Sequence, residues 1–99
     1  MFIKVKKLNS KAKLPERATA TSAGADLCAC IDDDVVLMPG DRKLIPTGLA
    51  IAVPTGYGGF VFARSGLSSK FGVSLANCVG VIDSDYRGEV KISVINHSD

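Results

Sequence analysis

Tryptophan is absent from this chain, histidine occurs once and cysteine three times. An odd number of cysteines cannot form a closed disulfide set, and the spacing of Cys28, Cys30 and Cys78 does not follow common zinc-ligand patterns. They read as small buried hydrophobic side chains in a reducing cytosol, so a cytoplasmic location is expected. The lone His97 has no serine or cysteine in a readable triad arrangement and reads as a surface or packing residue. No apolar run approaches the ~18 residues that suggest a membrane helix, and no basic leader precedes an apolar stretch, so neither a membrane partner nor secretion is expected. Walker-type loops and H-E-x-x-H are missing, which removes those two chemistries. A strong charge of one sign is missing too. Twelve Lys and Arg against ten Asp and Glu leave a net charge of +2, too weak by itself to imply direct nucleic-acid binding. The early lysines, Lys4, Lys6, Lys7, Lys11 and Lys13, read as a solvated face, with Lys4 and Lys6 opposite Ile3 and Val5 on one strand.

What is present is a chain for one domain, residues 1–99, with 46% hydrophobic and 22% charged residues, an ordinary globular balance. A chain this short buries roughly 60–65% of its unfolded surface, so subunit contacts are expected to supplement a modest core. Apolar runs are short and strand-like: "FIKVKKL", "LIPTGLAIAV" in part, "GGFVFA" and "EVKISVI". Turn formers separate them at Met38-Pro39-Gly40-Asp41, Pro54-Thr55-Gly56 and Tyr57-Gly58-Gly59. Many short strands with such punctuation predict a sandwich or barrel. One segment reads as helical: "SGLSSKF" has Ser65 as N-cap, Leu67 and Phe71 on one face, and Gly72 to stop it. A hairpin is expected with its bend near Asn77 and Gly80. The closing "VKISVINHSD" is expected to leave a strand edge uncovered, as if another chain covered it or the sequence were a fragment.

Three polar stretches exceed what packing demands. In "SAGADL", Gly24 permits a turn and Asp26 can cap it, which by itself is also what a structural aspartate does. In "ARSGL", Arg64, Ser65 and Gly66 stand where a strand gives way to a helix. Free N–H groups, a hydroxyl, room for close approach and a forked cation are the parts of a phosphate site, though a capped helix with a surface arginine uses the same residues. The third is "GVIDSDYRGE". If Val81 to Asp85 is extended, Asp83 and Asp85 share a side, suited to acid–base work, to a hydrated divalent metal or to a solvated strand end. Periodicity does not choose among these.

In order, "AGADL", "RSGL" and "N-x-x-G-V-I-D-S-D-Y-R-G-E" resemble the motifs of the trimeric deoxyuridine triphosphatases, the dUTPases, and the likeness extends through "LIPTGLAIAVPTGYGG". The resemblance implies an all-β, jelly-roll-like distorted barrel or sandwich with one short helix, assembled as a homotrimer with active sites between subunits. It implies hydrolysis of dUTP to dUMP and pyrophosphate with Mg²⁺. By position, Asp83 would activate the water that attacks the α-phosphorus and touch the sugar 3′-hydroxyl. Tyr86 would pack on the deoxyribose and exclude a 2′-hydroxyl. Asn77 with the backbone at Gly80, Val81 and Ile82, joined by Lys91, would read the uracil edge. Arg64, Ser65 and Gly66 would hold the phosphates, from a neighbouring subunit, and Asp26 would bind the metal through water. Asp85 is expected to be structural, bonded to the turn or to a basic neighbour. Ala63 stands where the family has proline. The family's fourth motif and glycine-rich closing tail do not follow Asp99, so a C-terminally incomplete and weakly active chain is expected. Two other readings remain: a dCTP deaminase-like enzyme, although that family has glutamate at the place of Asp83, and a non-catalytic nucleotide-sensing or protein-binding module.

Overall fold

The short apolar runs fold into seven strands and one helix in a computed structural model that describes residues Met1–Asp99. In chain order these are β1 (Lys4–Lys7), β2 (Arg42–Pro46), β3 (Leu49–Ala52), β4 (Gly59–Val61), α1 (Ser65–Phe71), β5 (Val73–Leu75), β6 (Gly80–Ile82) and β7 (Lys91–Asn96). All pairing is antiparallel, in three small sheets ordered β1-β3, β2-β7-β5 and β4-β6. The fold is mostly β with one short helix.

Turn chemistry acts where the sequence places it. Gly40 takes φ +84° in a turn closed by Asp41 N–H to the Met38 carbonyl at 2.9 Å, and the Asp41 carboxylate accepts the Met38 N–H at 2.9 Å. Gly56 takes φ +90° in a turn closed by Tyr57 N–H to the Pro54 carbonyl at 3.0 Å. Both use glycine as the left-handed residue of a tight turn.

Several expectations fail. "LIPTGLAIAV" is two strands rather than one: Gly48, at φ +68°, turns the chain so that β2 pairs with β7 while β3 pairs with β1. The bend at 76–79 is where glycine and asparagine put it, but β5 and β6 do not pair with each other and belong to different sheets. Edges without a strand partner are present, but the last strand is not one of them: β7 lies between β2 and β5. Cys28 and Cys30 are only half-buried and Cys78 is exposed, so none is the fully buried side chain expected. Asp83 to Tyr86 is a turn rather than extended chain, closed by Tyr86 N–H to the Asp83 carbonyl at 3.1 Å, which removes the alternation that put Asp83 and Asp85 on one side.

The helix begins one residue earlier than its serine suggests. Arg64 is the N-cap, extended at φ −70° and ψ 131° with no side-chain cap bond, and Ser65 is the first helical residue. Gly72 ends the helix in the left-handed region at φ +69°, with its N–H on the Ser68 carbonyl at 3.0 Å. A Cβ at Gly72 would meet the Ser98 nitrogen at 2.9 Å. Ser98 N–H is bound to Asn96 Oδ1 at 2.9 Å and the neighbouring His97 N–H to the Gly72 carbonyl at 2.7 Å, so backbone must shift to admit a Cβ. Gly72→Ala is therefore expected to cost more than the about 1 kcal/mol of the left-handed conformation alone. Urea denaturation of the two chains checks this.

The core is small. Val53, Ile82 and Val90 form its centre, with Leu27, Ile51, Val61 and Ile92 packed on them. Only 8 of 99 residues are buried, while Phe60, Phe62 and Phe71 are each more than 60% exposed, so part of the apolar surface has no cover within the chain.

Candidate active site

Because β5 pairs only with β7 and β6 only with β4, two strands consecutive in the chain each leave a backbone edge without a strand partner. A slot of about 110 Å³ opens between them, walled by Val61, Leu75, Asn77, Gly80, Val81, Ile82, Val90, Lys91, Ile92 and Ser93. Its floor is fixed by Ala76 N–H to the Ser93 carbonyl at 2.8 Å. Its bend is tightened by Cys78 N–H to the Leu75 carbonyl at 3.1 Å, with Cys78 at φ +67°. A non-glycine residue in that region is uncommon and marks a closely specified turn. Asn77 stands exposed at the bend. Free backbone donors and acceptors, one amide side chain and apolar walls suit a flat polar ring read along its edge.

The acidic turn starts at the residue after the slot wall. Asp83 and Asp85 are both exposed. Asp85 makes no hydrogen bond or ion pair, so the turn is not held by this carboxylate as expected. Arg87 holds it instead, donating to the Ser84 carbonyl at 2.8 Å and the Tyr86 carbonyl at 3.0 Å. Tyr86, 44% exposed, donates its hydroxyl to the Glu89 carbonyl at 2.7 Å. Its ring lies against Gly88, where a Cβ would meet the hydroxyl oxygen at 2.7 Å. Glycine at 88 is therefore what allows the ring its place. The segment is anchored beyond it: the hydroxyl of Thr47, 2% exposed, donates to the Val90 carbonyl at 2.6 Å, and the Glu89 carboxylate accepts the Gly48 N–H at 3.0 Å. Sequence reasoning missed Thr47, Gly48, Arg87 and Glu89. The one available signal was an acid directly after a loop glycine.

Arg64, Ser65 and Gly66 lie elsewhere. Arg64 Nε is 3.7 Å from Asp26 Oδ1, which joins the first polar stretch to the second. Asp26 is held by its N–H on the Glu16 carbonyl at 2.8 Å. Arg64 and Asp26 line a larger apolar groove of about 650 Å³ that includes Phe60, Phe62 and Leu67. Neither Gly24 nor Gly66 has any atom within 4 Å of a notional Cβ, and neither has positive φ. Nothing inside the chain requires glycine at these two places, whereas close approach by an outside group would. No hydrogen bond or ion pair connects Arg64, Ser65 or Gly66 to Asp83 or Tyr86. Within one chain the polar residues thus form two groups, one around the slot and one around the Asp26–Arg64 pair.

No three His, Cys, Asp or Glu residues come close enough to cage a metal ion. Asp26 is the carboxylate beside the cationic group, and its side chain is 39% exposed. That donor set suits a hydrated Mg²⁺ whose other ligands come from a polyphosphate, since magnesium keeps several waters and needs few protein oxygens. No helix is long and apolar enough to cross a membrane.

Comparison with known proteins gives a consistent picture. A family model described as dUTPase matches residues 10–99. The deoxyuridine 5′-triphosphate nucleotidohydrolase of Syntrophotalea carbinolica is 55% identical over 97 residues, covering 98% of this chain and 66% of the relative. Its counterpart in Desulfitobacterium hafniense is 60% identical over 85 residues, covering 85% of this chain and 56% of the relative. The chain therefore spans between about half and two thirds of the length of these curated relatives. Among solved structures, a mutant dUTPase from phage phi11 of S. aureus, described with a coordinated structural Mg(II) ion, matches with a TM-score of 0.89 at 34% identity, covering 100% of this chain and 62% of that one. A mutant Staphylococcus bacteriophage 80alpha dUTPase with dUpNHpp matches with a TM-score of 0.89 at 36% identity, covering 99% of this chain and 56% of that one.

Proposed function

This chain belongs to the dUTPase family, and from that premise we propose that it binds dUTP and carries the catalytic carboxylate for its hydrolysis to dUMP and pyrophosphate. The observation that carries the reading is the open slot between β5 and β6 with the Asp83–Tyr86 turn directly after its wall. Uracil enters the slot, where Asn77 and backbone groups around Gly80, Val81, Ile82 and Lys91 read its edge. A cytosine presents the reversed donor pattern and leaves those groups unsatisfied, and a 5-methyl group meets the slot wall. Tyr86 lies against the sugar and occupies the space of a 2′-hydroxyl. Asp83 holds a water and takes its proton as the oxygen attacks the α-phosphorus, with pyrophosphate as the leaving group.

The phosphates need cations and donors that one chain does not bring near Asp83. Arg64, Ser65 and Gly66 supply them from a neighbouring subunit, in a homotrimer that also covers the exposed Phe60, Phe62 and Phe71. Asp26 would hold a magnesium ion through water, and the metal would supply charge neutralisation for the leaving pyrophosphate. In this reading the Asp26–Arg64 pair keeps both side chains in place before substrate arrives.

Pyrophosphate release is measured with dUTP, dTTP, dCTP and UTP, using the chain alone and the chain joined to the C-terminal part of the Syntrophotalea relative. Turnover of dUTP by the joined protein, with little from the other nucleotides, is expected. The chain alone should turn over far more slowly, because a closing segment that excludes water is a large part of such catalysis. Equal turnover of UTP or dTTP contradicts the slot reading, and ammonia released from dCTP would assign the chain to deaminase chemistry instead.

A further inference from the structure

Gly88 is glycine for a reason outside its own backbone. Its φ is not positive, so other residues adopt the same conformation without strain. The space beside it supplies the reason. A Cβ here would have as its three nearest neighbours the Tyr86 Oη at 2.7 Å, Cζ at 2.9 Å and Cε1 at 3.3 Å. All three belong to one side chain, whereas Gly48 and Gly72 combine a left-handed φ with close approach to other segments. The ring is pinned at its far end. Its hydroxyl donates to the Glu89 carbonyl at 2.7 Å, on a peptide whose N–H, at Val90, is held by the Leu49 carbonyl at 2.8 Å. The acceptor therefore does not follow a displaced hydroxyl. Gly88 itself sits between two anchored residues. The Glu89 carboxylate accepts the Gly48 N–H at 3.0 Å, and the Arg87 guanidinium is bound to the Ser84 and Tyr86 carbonyls. What yields to an added side chain is the ring, which is 44% exposed.

We infer that Gly88 is a positioning residue for sugar selection: the missing side chain is the seat of the Tyr86 ring, and a Cβ there lifts the ring from its carbonyl and relaxes the separation of 2′-deoxyribose from ribose. The inference rests on the reading of Tyr86 given under Proposed function. A ring that excludes a single hydroxyl must be held to about 0.5 Å. Ordinary contact with a Cβ begins near 3.4 Å, so the hydroxyl oxygen, starting at 2.7 Å, must retreat further than that tolerance. An untethered ring then gives way to a 2′-hydroxyl. Because the clash falls on the end of an exposed side chain, its relief costs the fold little.

The chain has no tryptophan and two tyrosines, so in a Tyr57→Phe background Tyr86 is the only strong fluorophore. In that background, Gly88→Ala is expected to keep the urea midpoint of its parent while lowering Tyr86 fluorescence anisotropy and increasing its quenching by acrylamide. The ratio of dUMP to UMP affinity, read by calorimetry, should fall about three- to tenfold, the scale of one lost hydrogen bond. With Tyr86→Leu in place, Gly88→Ala should change that ratio no further, because a coupling between two sites vanishes when one partner is gone. Parental fluorescence or a parental ratio in Gly88→Ala overturns the inference. A large fall in the midpoint overturns it too, since glycine would then serve the fold rather than the ring, and so does an equal loss of selectivity in the Tyr86→Leu chain. If the parent chain itself fails to prefer dUMP, the role of Tyr86 fails and the sugar part of the inference with it, while the fluorescence still decides whether Gly88 seats the ring.

Discussion

Asp83→Asn is expected to lower the turnover of dUTP by roughly 10²–10⁴, the range for loss of a positioned general base, with little change in nucleotide affinity. The asymmetry follows from geometry. Asp83 is exposed at the first position of its turn, and its backbone carbonyl, rather than its side chain, accepts the Tyr86 N–H. Exchanging a carboxylate oxygen for an amide nitrogen therefore leaves the turn intact. The slot groups at Asn77, Gly80 and Val81 are also untouched. Single-turnover kinetics with the joined protein, together with calorimetric binding of dUMP, separates the two effects. Normal turnover in Asp83→Asn would remove Asp83 from the reaction.

Gly48→Ala has the largest expected effect on stability, on the order of 2–5 kcal/mol, from strain and overpacking together. At φ +68° an alanine is already strained, and its Cβ is within 3.0 Å of both the Ala12 Cβ and the Cys30 sulfur. Relief by movement would break the bond from Gly48 to Glu89 and shift Thr47, which is 2% exposed and bound to Val90. A domain of this kind has only about 5–15 kcal/mol of stability, and a core this small places the chain towards the low end. Urea denaturation followed by circular dichroism should show a clear fall in midpoint. An unchanged midpoint would mean that the packing around Gly48 relaxes to admit the Cβ.

Legibility in the sequence follows the range of the interaction. Gly40, Gly56 and Gly72 all turn or stop the chain as their neighbours imply, because a left-handed residue is a local matter. The strand-like runs around Lys4–Lys7 and Lys91–Asn96 are likewise local and are found where alternation puts them. Partnership is not local. Alternation says which side chains share a face and nothing about which strand lies alongside, so the central position of β7 and the separation of β5 from β6 were not readable. The slot depends on that separation. The sequence reading named five of the ten residues that wall it, Asn77, Gly80, Val81, Ile82 and Lys91, and the acidic turn that follows, but not what holds them. The Glu89 carboxylate and carbonyl, the Gly48 N–H and the Thr47–Val90 bond hold them, and apart from an acid after a loop glycine they leave no signal in a single sequence. Asp85 shows the converse: a prominent acid in the motif that forms no hydrogen bond or ion pair in the chain.

A crystal structure with a non-hydrolysable dUTP analogue tests the central claim most directly. The uracil edge should lie within hydrogen-bonding distance of Asn77 and the β6 backbone, with Asp83 beside the α-phosphorus and a water between them. A base seated instead in the larger groove beside Phe62 and Leu67, with Asp83 turned towards solvent, would contradict it.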